Sequence, residues 1–194
     1  MNLFVTVVGS RETPAAEWTL GWRLSYKYII FGYIIATGDA EGMDRAAREG
    51  ALAAGAVEYD HDHPERTPNA NLYVWKAKHC TPDAMAISAR FHSAWNALRK
   101  DGSPVVSNFA KKLHGRNAFQ VLGPNLITPS SVVICWTKDR CTTHKDRSIR
   151  TGGTGTAISI ADHWNVPVVN LAKPEEFHKF LRWTNDIKYQ IPNP

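Results

Sequence analysis

The stretch of this 194-residue chain best equipped for chemistry is Gly152-Gly153-Thr154-Gly155-Thr156, which puts three glycines and two hydroxyls into five residues. Glycine lets a backbone come close to a ligand with no Cβ in the way, and the unpaired N–H groups ahead of a helix attract anions. Phosphate is the natural occupant of such a turn. Gly9-Ser10-Arg11 offers a second one, whose arginine can clamp a phosphate through two parallel donors. A third, Gly38 to Asp44, contains Gly42 and is acidic through Asp39, Glu41 and Asp44. Carboxylates repel phosphate but accept hydrogen bonds well from ribose hydroxyls. Plainer readings compete with each: Thr154 or Thr156 as a helix cap, Arg11 as a solvated charge, Asp44 as a carboxylate that complements a helix dipole.

Other chemistries find no matching pattern. No GxGxxG follows the first apolar run and no GxxxxGK[ST] occurs anywhere, so neither a standard dinucleotide fingerprint nor a P-loop is supported. His61, His63 and His79 with Cys80, or Cys141 with His144, have no spacing that matches a known zinc pattern. No metal and no cofactor are expected.

These turns need elements to position them. Leu3 to Val8 is a short β-branched run that ends in the Gly9 turn, as a buried parallel strand does. Pro14 opens a helix over about 14–28, with Trp18, Trp22 and Tyr26 on one face. Tyr33 to Thr37 reads as the second strand, followed by an alanine-rich helix over about 43–54 that Gly55 closes. Val57 to Asp60 reads as a short third strand. Segment 61–112 is rich in aromatic and basic residues, and two helices are predicted over about 82–99 and 104–122, with Pro82 and Pro104 in their first turns. The whole of 61–122 is expected as a helical insertion that caps one end of the sheet or forms a lid, with Trp75, Lys76, Arg90 and Phe91 as its candidate ligand contacts. Ser131 to Trp136 resumes the sheet, residues 137–150 form a charged surface loop, and a helix follows over about 156–164. Val166 to Leu171 supplies the last strand, and a terminal helix over 174–183 precedes a tail from Thr184 that is wrapped or loose. Strands alternating with helices at this spacing imply a parallel sheet with right-handed crossovers. The fold expected is α/β: a Rossmann-like three-layer domain over 1–194, a parallel sheet of about five strands with helices on both faces.

Composition agrees and narrows the class. Hydrophobic residues make up 43% and charged residues 21%, inside the range of ordinary globular domains, so disorder and fibrous repeats are excluded. Apolar runs are far shorter than the roughly 20 residues a bilayer span needs, and no signal segment is legible. A cytoplasmic location is therefore expected, and three cysteines with no CxxC fit reduced thiols. A net charge of +5 favours phosphate-bearing partners without choosing between DNA and a small nucleotide.

Taken in order, Val5 to Arg11, Ala36 to Ala47, Gly115-Arg116-Asn117 and Gly152 to Thr156 resemble the SLOG superfamily, which includes DprA, the LOG phosphoribohydrolases and domains related to YpsA. The likeness is nearest to small DprA-like proteins of phages and bacteria, through His92 to Leu98 and Arg116 to Gly123. The resemblance implies a nucleotide-binding Rossmann-like sheet, often a homodimer or higher homo-oligomer, and nominates Gly9, Ser10, Arg11, Gly38, Asp44, Arg116, Asn117, Gly153, Thr154 and Thr156. Two departures matter. Ser159 stands where the LOG pattern has its catalytic glutamate, which points to binding without turnover. Glu41 stands where DprA-like turns carry arginine, which weakens a DNA-phosphate contact there.

The leading expectation is a module that binds, senses or sequesters a nucleotide-derived signal, such as an ADP-ribose derivative or a cyclic nucleotide, in the manner of a phage anti-defence protein. The alternatives are a DprA-like single-stranded DNA binder and a nucleotide N-glycosidase or phosphoribohydrolase with an acid among Asp39, Glu41 and Asp44.

Overall fold

The computed structural model describes residues 4–186 together with Pro192 and Pro194. Leu3 and residues 187–191 and 193 of the tail lie outside the described residues. The apolar runs form five strands: β1 (Phe4–Gly9), β2 (Ile34–Gly38), β3 (Leu72–Trp75), β4 (Val132–Trp136) and β5 (Val168–Asn170). All pair in parallel in the order β3-β2-β1-β4-β5. Six helices cover them: α1 (Ala15–Ile30), α2 (Met43–Ala53), α3 (Pro82–Ala89), α4 (Asn108–Leu122), α5 (Thr154–His163) and α6 (Pro174–Asn185).

Side chains alternate across the sheet and build two cores. Val5, Val7, Ile35, Val74 and Ile134 face one way and pack with Leu20 and Leu24 of α1 and Met43, Ala47 and Ala51 of α2, with α6 against them. Val8, Trp75, Val133 and Cys135 face the other way and meet Ala84 of α3, Ala118, Phe119 and Leu122 of α4, and Ile158 and Ile160 of α5. The result is the expected three-layer Rossmann-like fold. Among the described residues no helix is long and apolar enough to cross a membrane.

Four local expectations need correction. The third strand is Leu72–Trp75, not Val57–Asp60, from which Glu58 makes only an isolated parallel bridge to Leu72. Val57 is exposed, whereas Leu72, Val74 and Trp75 can all be buried against β2 and the helices. The helix predicted over 82–99 ends at Ala89, because Phe91 turns back onto the second core and the chain beyond forms turns tied by the Arg99 guanidinium to the carbonyls of Pro104 and Val105. Helix α4 starts at Asn108 rather than near Pro104: Pro104 pairs with Leu98 in an antiparallel bridge, and the Ser107 hydroxyl caps the Ala110 amide at 3.2 Å. Finally, α4 is the crossover between β3 and β4 and forms part of a covering layer, so residues 108–122 are not part of an insertion. On α1 the buried stripe is Leu20, Leu24 and Tyr28; of the predicted face Trp22 is buried as well, while Trp18 and Tyr26 are half-buried.

Candidate functional site

The strand order reverses between β1 and β4, where the chain leaves β1 for β2 on one side and reaches β4 on the other through α4. Crevices form outside the carboxyl ends of strands at such a switch point. A cavity of about 340 Å³ lies there, floored by the β1 turn Gly9–Glu12, walled by α4 through Leu113, His114, Arg116, Asn117 and Gln120, and closed by Arg150–Thr154.

Three groups predicted from sequence therefore converge on one space: Gly9, Ser10 and Arg11; Asp44 with Arg116 and Asn117; and Gly152, Gly153 and Thr154. Asn117 holds the last turn in place by donating from Nδ2 to the Gly153 carbonyl at 3.1 Å. Among the described residues, no acceptor meets the backbone amides of Arg11, Gly152, Gly153 or Thr154. The last of these opens α5, so its N–H belongs to the positive end of the helix dipole.

The other nominated residues serve the frame. Gly38, Asp39, Glu41, Gly42, Gly155 and Thr156 do not line the cavity. A side chain at Gly38 would collide with the Asp44 carboxylate and the Arg116 guanidinium, and Gly42, at φ +80°, passes against the Ser10 carbonyl. Even Gly9, which does line the cavity, is needed for packing, since a Cβ there would come within 2.7 Å of Met43. Gly155 leaves room for Arg147, whose Nε would lie 2.6 Å from a Cβ. The acidic turn thus divides its tasks: Glu41 pairs with Arg45 at 3.1 Å on the surface, Asp39 pairs with Arg116, and Asp44 alone enters the site.

Asp44 and Arg116 form the buried electrostatic centre, with Oδ2 and Nη2 at 3.3 Å. Arg116 also donates to the Trp75 carbonyl, and Asp44 accepts from the Gly9 amide at 3.1 Å. Burial pushes the Asp44 carboxyl up to about 6, against the pull of Arg116 and of the Gly9 and Ala40 amides. Beside this pair, both ends of the fully buried Gln120 carboxamide, and Nε of Arg116, have no hydrogen-bond partner among the described residues.

The candidate lid does not assemble over this cavity. Trp75 is a core residue stacked on Phe119, with ring centroids 4.3 Å apart. Lys76 lines two cavities on the β3 side, and Arg90 and Phe91 line a separate cavity near His144. Ser159 is buried: its hydroxyl donates to the Gly155 carbonyl at 2.8 Å and accepts from Arg147 at 3.0 Å, with His144 Nδ1 at 2.8 Å.

Sequence reasoning missed Arg150, Gln120, Leu113 and His114. Helical spacing from Arg116 points to two of them, since 113, 116 and 120 fall on one face of α4. Likewise His114 lies one turn from Asn117, and its Nδ1 sits 2.8 Å from the Thr156 hydroxyl. Among the described residues no group of three or more His, Cys, Asp or Glu is placed to hold a metal ion. No family model matches the chain, and comparison with curated proteins finds no significant match.

Proposed function

We propose that this protein binds a nucleotide-derived small ligand, of ADP-ribose or cyclic-nucleotide type, with a phosphate held by the amides of Gly152, Gly153, Thr154 and Arg11. The observation that carries this reading is that the residues bearing those unpartnered amides line one crevice at the switch point, together with Arg150. The unpaired Gln120 carboxamide supports it, because a buried amide with no protein partner calls for a polar occupant. The cavity volume suits a phosphate and a sugar and is at the small end for a whole dinucleotide. The likeness of these turns to the SLOG superfamily supports the same ligand class.

Binding without turnover is the form proposed. With Ser159 buried and its hydroxyl engaged on every side, no acid stands where the LOG pattern places one. Two carboxylates line the cavity: Asp44, committed to Arg116 and the Gly9 amide, and Glu12 of the β1 turn, an exposed side chain 3.8 Å from Lys138 Nζ and away from the position of the LOG acid. The DNA-binding alternative relied on rings of segment 61–112 for base stacking, and Trp75 is in the core.

Calorimetric titration with ADP-ribose and with a cyclic dinucleotide tests the proposal. Gly153 has helical backbone angles and open space where a Cβ would be, so Gly153→Asp is accommodated and places a carboxylate against the phosphate. Affinity for the ligand that binds should fall at least about tenfold from like-charge repulsion. Unchanged affinity in a folded variant means that the phosphate is not held at this turn.

A further inference from the structure

A second cavity, of about 470 Å³, opens between the end of α3 and the loop that precedes α5. Its polar lining consists of Arg90, His92, Ser93, His144, Arg147 and Ser148; no carboxylate contributes, and it shares no lining residue with the first cavity. Arg147 is half-buried there with neutral partners: Nη1 donates to the Phe91 carbonyl at 2.6 Å and to the Ser159 hydroxyl at 3.0 Å, and among the described residues it makes no ion pair. A guanidinium taken out of water is normally matched by a carboxylate, because desolvating a lone charge is costly.

The neighbouring groups report the resulting positive field. Desolvation and then Arg147 hold His92 below its ordinary value, and desolvation, His92 and Arg147 together push His114 down to about 4. Nδ1 of His92 is buried without a partner. Two carboxylates bond lining residues without lining the cavity themselves: Asp162 accepts from the His144 amide at 2.9 Å, and Asp139 accepts from the Ser148 and Thr151 hydroxyls. Proton inventory at Ser159 also fixes one histidine. Its single hydroxyl proton goes to the Gly155 carbonyl, so Nδ1 of His144 is the donor in their contact.

We infer that this cavity is a second anion site, which takes a phosphate group between Arg147, Arg90 and His92, with the Ser93 hydroxyl as a further donor. An arginine fork flanked by a second guanidinium, an imidazole and a hydroxyl matches a tetrahedral oxyanion, whose oxygens accept from several directions. The phosphate can belong to the ligand of the first cavity or be a separate molecule.

The test is calorimetric titration of inorganic phosphate into the Gly153→Asp protein, in which the first cavity is closed to anions. One saturable phosphate is expected. The double variant Arg90→Gln/His92→Gln, whose residues lie at the cavity rim, should weaken it at least about tenfold through loss of charge-assisted hydrogen bonds. Arg147→Lys should retain binding that Arg147→Gln loses, with circular dichroism confirming that both are folded. Absence of saturable binding in Gly153→Asp, or unchanged affinity in the double variant, overturns the inference. Phosphate added to the ADP-ribose-saturated wild type then identifies the source: heat of binding that persists marks a separate phosphate, and heat that vanishes marks a second phosphate of the same ligand. Equal ADP-ribose affinity in wild type and Gly153→Asp defeats the reading of the first cavity and leaves this one to stand on the phosphate titration alone.

Discussion

Asp44 is the residue on which most of the site's electrostatics turn. It is buried, it bonds the Gly9 amide, and it faces both Arg116 and the cavity. A phosphate held beside it favours its neutral form, so the carboxyl of the complex titrates above the value of about 6 that it has in the free protein. Affinity for a pyrophosphate ligand of constant charge should therefore rise as pH falls from 8 towards 6, and Asp44→Asn should remove that dependence; calorimetry across the range reads both. Arg116 is the matching structural test. Arg116→Ala strands a buried carboxylate and should cost about 3–5 kcal/mol of stability in urea unfolding. A loss below about 1 kcal/mol would mean that the pair is solvated.

At the scale of elements, α4 does two things at once. One face carries Leu113, Arg116 and Gln120 to the cavity, and the other carries Ala118, Phe119 and Leu122 into the second core. Phe119→Ala removes a buried ring stacked on Trp75 and should cost about 3–5 kcal/mol, measured as a shift in the unfolding midpoint. The same helix shows why part of the architecture was legible in the sequence and part was not. Strands β1, β2 and β4 are continuous β-branched runs flanked by turn residues, and their place needed no knowledge of partners. Leu72–Trp75 is only four residues long, and Trp75 looks like a surface ring until Phe119, distant in sequence, is known to cover it. The glycines were similarly ambiguous. That a glycine was required at 9, 38, 42 and 155 was legible; that helix packing, the Asp44–Arg116 pair, the Ser10 carbonyl and Arg147 required it, rather than a ligand, depended on contacts across the fold. Gly153, with helical angles and nothing above it, is the one that fits the reading from residue type, whereas Gly152 is open too but is required by its φ of +62°.

For the molecule as a whole, the sheet order places every anion-receptive turn on one edge, and stability depends on keeping histidines neutral around it. Burial holds His61 and His114 near 4, below their ordinary 6.5, so their contribution is complete above pH 6.5 and is lost as pH falls towards 4. His79 and His92 are shifted in the same direction. Asp44 acts oppositely: its raised value favours the folded state when protonated, and that contribution fades as pH rises from 3.8 through about 6. The histidines outnumber it, so the urea midpoint should fall between pH 6.5 and 4.5, and His114→Gln should make the fall shallower. A midpoint that rises with acid over that interval would show that the carboxylate dominates.

The phosphate cradle itself is tested most directly by the amide resonances that form it. In ¹H–¹⁵N spectra recorded during titration with ADP-ribose, the signals of Arg11, Gly152, Gly153 and Thr154 should shift together and saturate at one equivalent, while Gly32 and Gly55, in turns that end α1 and α2, stay in place. Saturable binding that leaves those four amides unmoved would contradict the account.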